Sequence, residues 1–111
     1  MSQHVHLLIV RYTVPPAQVG PHVPAHVRYL ERHHEEGVFL VSGTSVPAEL
    51  GGAIVATGVS RERVEQITAE DPFVRAGVAA YEIVTIDAGR RHPALAELLG
   101  SATEREAPVA R

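Results

Sequence analysis

His4-Val5-His6-Leu7-Leu8-Ile9-Val10-Arg11-Tyr12-Thr13 is the stretch that decides the architecture. It is rich in Val, Leu and Ile and reads as a β-strand. Side chains alternate along a strand, so Val5, Leu7 and Ile9 point one way while Leu8, Val10 and Tyr12 point the other. Both faces are apolar, and such a strand needs cover on both sides. His4 and His6 share the face of Leu8, where they could line a cleft or simply sit at a strand end.

Outward from this strand, Val14-Pro15-Pro16 ends it, because proline cannot donate to a ladder. Residues 24–36 then carry a helical stripe of Val23, Val27, Leu30 and His34, spaced i, i+4, i+7 and i+11. Pro24 suits the first helical turn and Gly37 the C-cap. Residues 38–42 predict a second strand, 44–52 a loop holding Pro47 and Gly51-Gly52, and 53–57 a third strand. Ser60 is a good N-cap for a helix over 61–69, with Val64 and Ile67 turned inward. Glu70-Asp71-Pro72-Phe73 breaks it, since the residue before a proline is pushed out of the α region. A fourth strand over 79–86 and a short helix over 93–99 follow.

The order β-α-β-β-α-β is the ferredoxin-like α+β pattern, with four antiparallel strands and both helices on one face. The second apolar face of the first strand is then bare. Two sheets packed face to face would cover it, so a homodimer is expected. Residues 1–100 form one domain, and 101–111 are expected to be a flexible tail.

Composition narrows the chemistry. Among 111 residues there is no Cys, which removes disulfides, thiolate nucleophiles and thiolate metal sites. All ten basic residues are Arg, so neither a Schiff-base lysine nor a P-loop lysine is available. The net charge of -3 offers no footprint for nucleic acid or an anionic membrane. The apolar N-terminal run is too short for a membrane span or a signal peptide, and a cytoplasmic location is expected.

Seven histidines remain to be sorted. On a helical wheel His26, Tyr29 and His33 lie on a strip flanking the apolar stripe. An imidazole at such a shoulder is partly desolvated and can still reach a ligand, which suits proton transfer near neutral pH; it can equally be a boundary residue that only packs. His22 and His26 have metal-ligand spacing, but Pro21 and Pro24 interrupt the backbone and no carboxylate follows at zinc-site spacing. Of the adjacent pair, His34 is expected under the stripe and His33 nearer the surface; His92 sits in a polar turn. Asp71, on an extended turn before Pro72, can orient a histidine or merely shape the turn. Arg75 could bind an anionic group, and Ser42 with Gly43 could meet a ligand where the second strand ends. Gly51-Gly52 lacks phosphate-loop spacing.

Read together, these segments resemble the YCII-related (YciI-like) family. Pro24-Ala25-His26-Val27-Arg28-Tyr29-Leu30 is similar to its "P-A-H-x-x-Y/F-L" signature. Gly37-Val38-Phe39-Leu40-Val41-Ser42-Gly43 resembles the "G-V-F-L-x-S-G-P" strand of one branch, and Gly51-Gly52-Ala53-Ile54-Val55-Ala56 its "G-G-V-I-L-A". Asp71-Pro72-Phe73-Val74-Arg75-Ala76-Gly77, continued into Tyr81-Glu82-Ile83, looks like the "D-P-F-x-x-A/G-G" hallmark. The resemblance implies a ferredoxin-like subunit that dimerises into an α/β barrel, with His26 and Asp71 as the active pair. One member type eliminates chloride from a chlorinated hydroxyquinol. Thr44 departs from the branch's Pro, and Pro47-Ala48-Glu49-Leu50-Gly51-Gly52 replaces "P-R-T-G-G", losing its Arg. That exchange suggests a neutral, apolar ligand.

The sequence thus points to a cofactor-independent enzyme that eliminates, dehydrates or isomerises a small cyclic or aromatic molecule. His26 and Asp71 are its expected catalytic pair, and Tyr29, His33, Ser42 and Arg75 its expected substrate contacts, with no metal. The alternative is a non-catalytic small-molecule-binding or accessory protein on the same dimeric scaffold.

Overall fold

The computed structural model describes residues 3–99, so the expected tail from residue 101 lies outside the described residues. Four strands form one sheet: β1 (His4–Tyr12), β2 (Phe39–Thr44), β3 (Gly51–Thr57) and β4 (Ala79–Asp87). Their order is β2-β3-β1-β4 and every pairing is antiparallel. The apolar β1 therefore sits inside the sheet, as its two greasy faces require.

Five α-helical segments are described: α1 (Pro16–Val19), α2 (Val23–Glu35), α3 (Arg61–Ala69), α4 (Pro72–Arg75) and α5 (Ala96–Leu99). The two long ones, α2 and α3, pack on one face of the sheet, which completes the ferredoxin-like α+β arrangement. Gly37 at φ +80 lies just beyond α2, where its N–H donates to the His34 carbonyl and that of Val38 to His33. Ser60 caps α3, its Oγ accepting from the Arg63 N–H at 3.0 Å. No described helix is long and apolar enough to cross a membrane.

Between sheet and helices, Leu8, Val10, Tyr29, Phe39, Ile54, Ala56, Val64, Ile67 and Phe73 form one core. The register of β2 on β3 shifts once: Phe39 pairs with Ala56 but Val41 pairs with Val55. Phe39 and Ser42 consequently face the helices together, although they stand an odd three positions apart. On the other face Val5, Ala88 and Leu99 make a second small cluster against Leu7, Leu40, Val55 and Leu95.

Several expectations are corrected. The buried side of α2 is Tyr29 and His33, while Val23 and Val27 are each 40% exposed. Aromatic and imidazole rings packed against Phe39 and Phe73 fill the space that the valines were expected to fill. The relation of His33 and His34 is thus reversed, with His33 buried and His34 half-buried. Gly51 and Gly52 open β3 rather than closing a loop. A Cβ on Gly51 would lie 2.0 Å from the Val10 carbonyl oxygen, so only glycine permits this approach of β3 to β1.

Candidate active site

Asp-Pro-Phe builds the acidic side of the site. Pro72 preorganises the first turn of α4, and Asp71 is its N-cap, its Oδ1 accepting from the Phe73 N–H at 2.8 Å. The expected extended turn is therefore a cap followed by a single helical turn. The same Oδ1 lies 2.9 Å from Nδ1 of His26, brought over by α2. Asp71 is fully buried and the His26 side chain is 14% exposed. A carboxylate only accepts, so His26 Nδ1 carries the proton and Nε2 remains the free ring nitrogen. The His26 ring stacks on Phe73 at 3.9 Å between centroids and 6° between planes, which fixes its orientation.

The second oxygen of Asp71 is also held. Tyr81 of β4 donates its hydroxyl to Oδ2 at 2.5 Å. Burial, reinforced by the neighbouring Tyr29 and Asp71, pushes the Tyr81 phenol far above its ordinary range and keeps it a donor. The sequence reading missed Tyr81; its signal was the inward parity it shares with Ala79 and Ile83 on β4.

His26 forms one wall of a hollow of about 230 Å³ between α2 and the sheet. Val10, Tyr12, Val23, Val27, Leu30, Ile54 and Phe73 supply most of its apolar surface. Gly43, Gly51 and Gly52 leave part of it free of side chains, and Ser42 and Thr44 add hydroxyls. A cavity of about 150 Å³ accommodates a benzene ring, so this volume suits one substituted ring. Among the described residues no Arg, Asp or Glu lines it.

Of the residues expected at the site, His26, Asp71 and Ser42 meet at or directly behind this hollow. Three do not. Tyr29 is buried beneath α2, its hydroxyl donating to the Ile67 carbonyl at 3.2 Å. His33 is 2% exposed, its Nδ1 3.2 Å from Glu36 Oε1 and its Nε2 without a hydrogen-bond partner among the described residues. Arg75 is exposed and lines a separate groove with Arg28 and Arg32. His6 is structural, bridging Thr85 Oγ1 and the Val59 carbonyl at 2.8 Å each. Among the described residues no three His, Asp or Glu side chains cluster as a metal site would require.

No curated protein matches the chain. Among solved structures it is similar to 5-chloro-2-hydroxyhydroquinone dehydrochlorinase from Burkholderia phenoliruptrix AC1100, in complex with 2,5-dihydroxybenzoquinone. The TM-score is 0.56 at 23% identity, over 71% of this chain and 90% of that one, a likeness of fold. The YCII-related domain matches residues 5–87, so the chain belongs to the YCII-related family.

Proposed function

We propose that the protein is a cofactor-independent enzyme that moves protons on a small, neutral, cyclic or aromatic molecule, in an elimination, dehydration or isomerisation. The observation that carries this reading is the 2.9 Å contact between His26 Nδ1 and the buried Asp71 at the wall of an apolar hollow. Asp71 fixes the tautomer and stabilises the imidazolium that forms when Nε2 takes a proton. The fold likeness to a dehydrochlorinase of a hydroxylated ring supports a lyase-type reaction on a single-ring substrate. That no Arg among the described residues lines the hollow, together with the Ala48-Glu49-Leu50 exchange, supports a neutral ligand. The working form proposed is a cytoplasmic homodimer joined through the open sheet face.

The test is deuterium incorporation from D2O into the carbon acids of single-ring ketones and hydroxyquinones, followed by proton NMR. His26→Ala is expected to lower the protein-promoted rate by about 10²–10⁴-fold while ligand-induced thermal stabilisation persists. Stabilisation by these rings without any promoted exchange in the wild type would sink the catalytic reading and favour a binding protein.

A further inference from the structure

A base that removes a proton from carbon leaves charge on the substrate, and that charge must go somewhere. Among the described residues no Arg lines this hollow to receive it, and Lys is absent from the whole chain. The polar side chains of the lining are Tyr12, His26, Ser42 and Thr44. Ser42 is the lining hydroxyl that hydrogen-bonds to an imidazole: its Oγ lies 2.8 Å from Nε2 of His34. His34 is held edge-on to Phe39, with centroids 5.8 Å apart and planes at 82°. Its ring is half-buried, shielded on one side and still able to exchange protons with water. His26 and His34 stand eight residues apart on α2, about 12 Å along its axis, so one helix supplies both imidazoles at separate points.

We propose that Ser42 and His34 form a second proton-handling pair that serves a substrate oxygen while His26 serves carbon. The proposal rests on the proposed function and deepens it: the substrate is a neutral ring bearing a carbonyl or enol oxygen. His26 Nε2 takes the proton from the carbon next to the carbonyl, and the electron pair of that C–H bond becomes a C=C bond. The carbonyl π pair moves onto oxygen, which takes the proton of Ser42. Ser42 takes a proton in turn from Nε2 of protonated His34, and water recharges His34. The ketone becomes its enol, one proton is gained at His26 and one lost at His34, and no oxidant or reductant is needed.

The experiment follows deuterium exchange at the ring carbons of cyclohexane-1,4-dione, a neutral ring with a carbonyl at each end. Ser42→Ala and His34→Leu are each expected to slow the promoted exchange by about 10–100-fold. Ser42→Thr, which restores a hydroxyl, is expected to retain most of the rate, and thermal unfolding confirms that each variant is folded. A wild-type rate in folded Ser42→Ala or His34→Leu, with the rate abolished in His26→Ala, overturns the second pair and leaves the proposed function standing. No promoted exchange by the wild-type protein overturns both.

Discussion

Three donors converge on Asp71: the Phe73 N–H and His26 Nδ1–H on one oxygen, the Tyr81 hydroxyl on the other. A fully buried carboxylate without such partners would be costly, and hydrogen bonds to a charged acceptor are the stronger kind. Tyr81 also prevents the carboxylate from rotating, so the oxygen presented to His26 is fixed. Tyr81→Phe keeps the ring and removes the donor. It is expected to destabilise the protein by about 1–3 kcal/mol in urea unfolding. It should also disturb the His26 tautomer, read from imidazole ¹⁵N shifts; an unaltered spectrum in the folded variant would show that Tyr81 does not position the pair.

At the scale of elements, α2 serves three neighbours at once. It sends His26 to α4, Tyr29 and His33 to the core, and Val23 and Val27 to the hollow. The apolar spacing made the helix legible, but not which face is buried. Hydropathy counts imidazole and phenol as polar, whereas here their rings pack flat or edge-on against Phe39 and Phe73. The turn at Pro72 was legible as a helix end; that Asp71 would cap a new turn while binding His26 depends on a contact 45 residues away in sequence, which local patterns do not carry.

His33 ties α2 to β2 and brings a pH dependence. Burial lowers its affinity for a proton, with Glu36 and Glu70 opposing and Arg32 reinforcing the shift; Tyr29 and Phe39 are its ring neighbours. The unfolded chain therefore binds the proton more readily than the folded one. Stability is fully present above the ordinary imidazole value of about 6.5 and is lost as pH falls from there to the lowered folded value. The slope from this single group is at most about 1.4 kcal/mol per pH unit. Urea unfolding at pH 7 and pH 5 is expected to show this loss and His33→Leu to reduce it; the same slope in both proteins would assign it elsewhere.

For the whole molecule, the telling surface is the sheet face opposite the long helices. Val41, Val84 and Ile86 are 58%, 42% and 43% exposed there, while residues of the C-terminal segment cover Val5 and its neighbours. The alternation in β1 already announced this surface, because Val5, Leu7 and Ile9 had no helix to face. A second copy is the proposed cover. Ile86→Glu combined with Val84→Glu is expected to halve the mass measured by light scattering at micromolar concentration with little change in the circular dichroism of each copy. A wild-type protein that already runs at the mass of one chain would remove the homodimer.

The single extra residue between Phe39 and Val41 has a wider meaning for how this scaffold changes chemistry. Side-chain direction flips with every regularly paired step of a strand, so if Leu40 paired with Val55 and the bulge were lost, Val41 would turn toward α2 and Ser42 toward the opposite surface. The hollow would trade a hydroxyl for a branched aliphatic group without any substitution in its lining. Gaining or losing a bulge in an edge strand is thus a route by which descendants of one ancestor could acquire or shed a proton donor.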